Sequence, residues 1–469
     1  MDDSDSRLRV AGSDSWRAEY GHVIRLALPV VIAQVGSMLL GVVDTMMVGR
    51  VGTDALAAAA IGNAWFYAIL LAGQGVIHGI DPIVTQAHGA RDGPATALAM
   101  QRGVVVALLL SLPLTVLLGL TEEVLLLAGQ HPDLAAAAHR YIVVQIPSVP
   151  LYFVFIALRQ YLQGRELMRP GMWVVVVANV LNVLFNRVLI FGGLGIPALG
   201  LLGAGIATSL TRAAMLLLLV TWVVQFRLHE GAWVAWSRNV LSPSALLTIW
   251  RTGWPVAVQM SLEIWAFSIG TLIAGTLGAT ALAAHTIVLN LAGLSFMMPL
   301  GISQGVVTRV GNLIGAGQFD WAQRAAWVGM SLGASVMTMA GLVFFLFRDW
   351  LPRIYTPDAS LVAAASAILP IAAAFQIFDG TQAVGCGVLR GMGRTHPAAG
   401  FNLLGYWVLG LPVGAWLATR AGWGLAGIWW GFVIGLSVVA VLLVFWIARR
   451  GPAHASQLAR SLTQDSPRR

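Results

Sequence analysis

Residues 370–393 read PIAAAFQIFDGTQAVGCGVLRGMG. Most of this stretch is apolar enough to cross a bilayer, yet Asp379 stands near its centre, followed at once by Gly380. A carboxylate in the middle of a membrane helix costs about 2.5–3.5 kcal/mol on insertion scales. Such a residue faces a bundle interior or a wet cavity, and it marks a functional site. The stretch therefore reads as a membrane span that carries chemistry, and the rest of the chain can be tested against that reading.

The chain has 469 residues, 58% hydrophobic and 10% charged. With a mean hydropathy of +0.79, this is the composition of a polytopic membrane protein. About twelve apolar runs reach the roughly 20 residues a crossing helix needs. They cover approximately 24–49, 55–87, 97–120, 135–161, 171–192, 200–226, 246–275, 281–310, 322–347, 360–389, 397–419 and 424–448. Residues 1–20 are polar and lack the apolar core of a cleavable signal, so the first span is expected to stay in the mature protein. The single Cys386, inside an apolar run, excludes an intramolecular disulfide and a cysteine metal cluster.

The net charge of +8 comes from arginine alone, since lysine is absent. Nucleic acid is not the expected partner, because the arginines fall in the short gaps between apolar runs, where they set topology. About 21 lie in the tails and even-numbered connections and 5 on the other side, with Arg187 and Arg212 inside spans. Both termini are therefore expected to be cytoplasmic. The division expected is a cytoplasmic tail (1–20), a six-helix bundle (21–226), a cytoplasmic linker (227–245), a second six-helix bundle (246–448) and a second tail (449–469).

The two bundles repeat. LALPVVIAQ (26–34) resembles TGWPVAVQ (252–259), and TDALAAAAIGN (53–63) resembles ATALAAHTIVLN (279–290). LQGRELMRP (162–170) resembles LRGMGRTHP (389–397), and GAGIA (203–207) resembles LAGIW (425–429). The offset stays near 222–227 residues, which spans six helices, an even number. Both halves then enter the membrane in the same orientation, a parallel repeat of the kind transporters use.

Three acids break the repeat: Asp44 in the first span, Glu263 in the seventh and Asp379 in the tenth. They fall opposite about Gly270, Ser37 and Tyr152, none of them acidic. A scaffold common to both halves does not demand them. The alternative is that each pairs with an arginine or caps a kinked helix, and only Arg187 and Arg212 are available inside spans. Asn179, Asn182 and Asn186 share one face of the fifth span, as cavity groups or as hydrogen bonds between packed helices. Gln34 and Gln259 recur in both halves and are candidate cavity-lining residues. Asp81, beside Pro82, reads as a solvated helix end, and His78, His88 and His285 read as isolated.

At these residues the chain resembles the MATE (multidrug and toxic compound extrusion) family, in its NorM-like bacterial branch. The likeness runs from about residue 21 to 448. It is carried by VVDTMMVGRVG (42–52), LEIWAFSI (262–269), ALAAHTIVLNLAGLSFMMPLGISQGVVTRVGNLIGAG (281–317) and FQIFDGTQAVGCGVLRGMGRTHPAAGFNLLGYWVLGLPVGAWL (375–417). The resemblance implies an all-α protein of two six-helix bundles around a V-shaped cleft, exporting organic cations against inward sodium or proton flow. By position it implies proton coupling or substrate binding for Asp44, and a cation site at Glu263 and Asp379. Asn182 and Asn186 match fifth-helix asparagines of that branch. Members with a described sodium-type site carry a tyrosine four residues before the tenth-helix acid, where this chain has Phe375; the lost hydroxyl removes a possible sodium ligand, which counts against sodium coupling and leaves proton coupling open.

An isolated carboxylate in a poorly hydrated cavity binds one cation at a time: a proton, a sodium ion or a lipophilic organic cation. Competition among them lets ion entry drive export. The expected function is thus secondary active multidrug efflux by alternating access in the bacterial inner membrane, by a monomer needing no cofactor beyond H+ or Na+. Coupling is expected at Asp44, Glu263 and Asp379. Substrate contacts are expected at Asp44, Gln34, Gln259, Asn182, Phe375 and Asp379, and a sodium site at Glu263, Asp379, Asn182 and Asn186. A flippase for lipid-linked oligosaccharides would instead need an arginine-rich cleft. A membrane enzyme would need a metal cluster, an activated nucleophile or a cofactor motif, and none is visible.

Overall fold

The computed structural model describes residues 15–193 and 195–454. In chain order the helices are α1 (Trp16–Gly49), α2 (Thr53–Ile77), α3 (Asp81–Gly89), α4 (Gly93–Gly119), α5 (Thr121–Leu127), α6 (Pro132–Val143), α7 (Ser148–Gly164), α8 (Arg169–Phe191) and α9 (Gly200–Gln225). After a linker come α10 (Pro243–Thr276), α11 (Ala279–Gly315), α12 (Phe319–Leu346), α13 (Ala359–Gly391), α14 (His396–Asn402), α15 (Leu411–Thr419) and α16 (Leu425–Arg450). A π-helical segment, Leu403–Gly410, joins α14 to α15. Among the described residues, eleven helices are long and apolar enough to cross a membrane. The bent pair α6 and α7, angled 53° at its break, makes twelve when read as one span.

The repeat is visible in the elements themselves. α1 and α10 have 34 residues each, and α9 and α16 have 26 each. The continuous run Thr53–Gly89 and α11 both have 37. Where the first half breaks α6 from α7, the second runs unbroken through α13, past Pro370. The helix ends are set by local chemistry. Asp92 Oδ1 accepts from Ala95 N at 2.9 Å to start α4, and Asp358 Oδ1 accepts from Ser360 N at 2.8 Å to start α13.

The chain packs as two compact units. The N-lobe is Ile32–Val84 with Asp92–Ala257; the C-lobe is the described chain up to Val31, Thr85–Arg91 and the described chain from Val258. This is not the division drawn at the linker. α1 changes unit two residues past Pro29, and α10 two residues past Pro255. Glycines explain both. A Cβ on Gly301 would stand 2.6 Å from Val31 N, so the first half of α1 lies directly on α11 in the C-lobe. A Cβ on Gly75 would stand 2.7 Å from Ala257 N, so the first half of α10 lies on α2 in the N-lobe.

The N-lobe core is built from Phe66, Tyr141, Phe153, Phe155 and Tyr161 with their aliphatic neighbours. The C-lobe has two cores. One holds Phe375, Tyr406, Trp429 and Phe432. The other seats Val23 and Ala27 of α1 among Val306, Val310 and Leu313 of α11. Residues 16–20, expected in a tail, are helical, and Glu19 is buried. Its carboxylate takes two bonds from Arg309, Nε to Oε1 at 2.7 Å and Nη2 to Oε2 at 2.9 Å. The rest of both expected tails, 1–14 and 455–469, lies outside the described residues. The linker is strapped to the N-lobe: Tyr161 Oη donates to Ala232 O at 2.7 Å and Gln101 Nε2 to Val234 O at 2.7 Å.

Candidate functional site

In the N-lobe, α1, α8 and α9 bring one polar group each to a common point. Asn186 Nδ2 donates to Asp44 Oδ1 at 2.5 Å and to Asn182 Oδ1 at 3.1 Å. Thr208 Oγ1 donates to Asp44 Oδ2 at 3.2 Å. Asn182 Nδ2 reaches Thr211 Oγ1 at 3.5 Å. The spacing of four between the asparagines, and of three between the threonines, stacks each pair on one helix face. Asp44 is half-buried while both asparagines are buried, and Asn186 Oδ1 has no hydrogen-bond partner among the described residues. Asn179 leaves this set: it donates to Gly36 O at 3.0 Å and to Val175 O at 2.9 Å, which is packing of α8 on α1.

The intramembrane arginines do not neutralise the acid by contact. Arg187 is exposed and lies over the Phe191 ring at 5.7 Å. Arg212 is buried, 4.6 Å from the Phe66 ring centre and 5.4 Å from that of Tyr152. Among the described residues no ion pair joins Asp44, Glu263 or Asp379 to an arginine.

The C-lobe holds the other two acids. Gln382 Nε2 donates to Glu263 Oε2 at 3.2 Å and to Asn402 Oδ1 at 2.9 Å, linking α10, α13 and α14. Trp407, on the π-helical segment, donates Nε1 to Leu262 O at 3.0 Å and so fixes α10 beside Glu263. Such segments inside helices often sit at functional sites. Asp379, one turn before Gln382, is 2% exposed and has no hydrogen bond among the described residues. Gln382, one turn further along α13, is the residue that bonds Glu263, which places both acids in the same part of the C-lobe. Gly380 lets α12 approach here: a Cβ there would stand 2.7 Å from Met337 Cγ. Gln376 Nε2 donates to Ser295 Oγ at 2.8 Å. Gln376 Oε1, Gln382 Oε1 and the Tyr406 hydroxyl are buried without hydrogen-bond partners among the described residues. Two buried carboxylates with no paired cation are costly when both are charged. A bound proton or monovalent cation removes that cost.

The predicted residues are thus divided. Asn182 and Asn186 belong with Asp44 in the N-lobe, whereas Glu263 and Asp379 belong to the C-lobe, so the proposed four-residue sodium set draws on both units. Phe375 is buried in an aromatic core, edge-on to Phe267 at 6.0 Å and to Trp429 at 5.9 Å. Gln34 and Gln259 are half-buried without side-chain hydrogen bonds among the described residues. They are not true twins: the prolines before them lie 226 residues apart and the glutamines 225. Asp81 is no solvated helix end. It is 1% exposed, 3.2 Å from His78 Nδ1, with Gln160 against both. A histidine three residues before an acid was the signal for that contact. Thr208, Gln382, Asn402 and Tyr406 were not anticipated, although Gln382 follows Asp379 at helical spacing.

The family model MatE matches residues 29–188 and 255–416, one match in each half. A "Probable multidrug resistance protein NorM" of Mesorhizobium japonicum is 36% identical over 94% of this chain and 96% of its own. The "Multidrug resistance protein NorM" of Vibrio cholerae is 33% identical over 93% and 97%. The crystal structure of the eukaryotic MATE transporter AtDTX14 has the same fold, with a TM-score of 0.87 at 24% identity over 96% of this chain and 99% of that one. With one match per repeat and relatives aligned nearly end to end, the chain belongs to the MatE family of membrane transporters.

Proposed function

We propose that this protein exports small organic cations across the bacterial inner membrane by antiport with H+ or Na+, through alternating access. The observation that carries the reading is the C-lobe pair, Glu263 and Asp379: both buried in helices bridged by Gln382, and neither in an ion pair with a basic side chain among the described residues. Such a pair takes up a cation when the surrounding medium supplies one and releases it when another competes. Coupling is assigned to Glu263 and Asp379. Asp44, with Asn182 and Asn186, is a second protonation or substrate site. The names of the relatives support drug-like cargo, and the arginine distribution supports cytoplasmic termini and multi-pass insertion.

The test is efflux of a fluorescent organic cation from proteoliposomes, with proton and sodium gradients imposed separately. Glu263→Gln and Asp379→Asn are expected to abolish gradient-driven efflux while the protein still inserts and folds. Gradient-driven transport at the wild-type rate in both variants would rule the assignment out.

A further inference from the structure

The Arg212 side chain lies in a place built for a cation. Its guanidinium stands 4.6 Å from the Phe66 ring centre and 5.4 Å from that of Tyr152. Nη1 donates to Ser148 Oγ at 3.1 Å and reaches Gln145 Oε1 at 3.5 Å. The two rings come from α2 and α7, and the two polar groups from the bend between α6 and α7. Phe66, Gln145 and Ser148 are buried, and Tyr152 is held by a stacked contact with Phe155 at 6.4 Å. Two aromatic faces and two acceptors around one planar cation is how proteins hold guanidinium and quaternary-ammonium ligands. α16, the counterpart of α9, carries no arginine before its last turn, so the repeat does not reproduce this resident at the matching helix.

We infer that Phe66, Tyr152, Ser148 and Gln145 form a cation-binding cage in the N-lobe, and that Arg212 is its tethered occupant, denying it to free organic cations. Arg212 is therefore a specificity-determining residue. It gives the N-lobe a positive charge of its own near Asp44 and leaves the unbalanced C-lobe acids as the seat for diffusible cations. The inference concerns binding inside one lobe, so it does not depend on the chain being an exporter.

Removing the tether should open the cage to a free ligand of the same chemistry. Arg212→Ala, purified in detergent, is titrated with ethylguanidinium, with sodium chloride at equal ionic strength as the control, and thermal unfolding is followed. The expected result is a rise in melting temperature that saturates at millimolar ethylguanidinium in the variant and is absent in wild type. Adding Tyr152→Leu to the variant should weaken the apparent affinity about tenfold, the scale of one desolvated cation–π contact. Arg212→Gln, which keeps a polar group for Ser148, serves as host if the alanine variant does not accumulate. No specific stabilisation in either variant, or stabilisation of undiminished affinity after Tyr152→Leu, would overturn the cage.

Discussion

The close crossing at Gly301 offers a sharp test of how α1 is shared between the lobes. In Gly301→Ala the new methyl would stand 2.6 Å from Val31 N and 2.7 Å from Val31 Cα, and would also meet Val31 Cγ2. The first two are backbone atoms, which no rotamer change can move aside. Overpacking of this kind costs about 1–3 kcal/mol. Gly41 on the same α1 has nothing within 4 Å of a built Cβ. Gly41→Ala therefore keeps only the gain of restricting a helical glycine, about 0.5–1 kcal/mol. The two substitutions have identical chemistry and opposite predicted sign. For bodies the size of either lobe, each kcal/mol moves the melting temperature by about 2–4 °C, so the variants should differ by roughly 5–10 °C. The assay is thermal unfolding of purified protein in one detergent. Gly301→Ala melting with Gly41→Ala, or above it, would show that the first half of α1 does not lie on α11, and the membership of Trp16–Val31 in the C-lobe would fall.

Gln382→Leu should lower the melting temperature, because Glu263 Oε2 and Asn402 Oδ1 both lose their donor. A buried acceptor left unsatisfied costs about 1–3 kcal/mol, and the same variant should change the apparent KM for the coupling ion in driven efflux. Unchanged melting and unchanged ion dependence would show that the Gln382 bridge has no role. Asp358, outside the spans at the start of α13, is held below the usual carboxylate range, chiefly by the Ser360 hydroxyl and then by the Leu361 and Ser360 backbone N–H groups. A lowered value means that the cap stabilises above the ordinary carboxylate range and is lost as pH falls through the lowered one. Asp358→Ala should therefore melt below wild type above about pH 4, and the difference should close under stronger acid. A difference that persists undiminished there would exclude the carboxylate as its source.

The span count, the repeat and the three deep acids were legible because each depends on local composition and spacing. A buried acid in an apolar run needs no tertiary information to stand out, and two halves of equal helix length follow from one conserved offset. Partnerships were less legible. Asn179, Asn182 and Asn186 form one stripe in sequence, but α1 runs alongside that stripe and divides its roles: Gly36 meets Asn179 and Asp44 meets Asn186. The division of α1 at Val31 was hidden because Pro29 announces a helix irregularity without saying which neighbour each half will choose. Glycines on α11, far along the chain, make that choice. Arg159 and Arg309 were counted with the connection charges although each stands in the last turn of an apolar run; both are buried, Arg159 over the Phe155 ring and Arg309 against Glu19.

The repeat also supplies a strong test of the charge asymmetry. Tyr152 occupies the position that Asp379 holds in the other half, since α7 and α13 end at Gly164 and Gly391, 227 residues apart. If a carboxylate at that place on the scaffold were sufficient for ion coupling, Tyr152→Asp should restore driven efflux to Asp379→Asn. The surroundings predict otherwise. Arg212 is 5.4 Å from the centre of the ring that the substitution removes, so the new carboxylate would stand beside its guanidinium. The pair would be largely desolvated, where an uncompensated charge is costly and a nearby opposite charge is the cheapest remedy. The introduced acid is thus expected to be neutralised by Arg212, leaving efflux abolished. Adding Arg212→Gln frees that acid, and only this triple variant is expected to regain measurable gradient-dependent transport. Recovery with Arg212 still in place would show that position on the scaffold outweighs the balance of charge within each lobe.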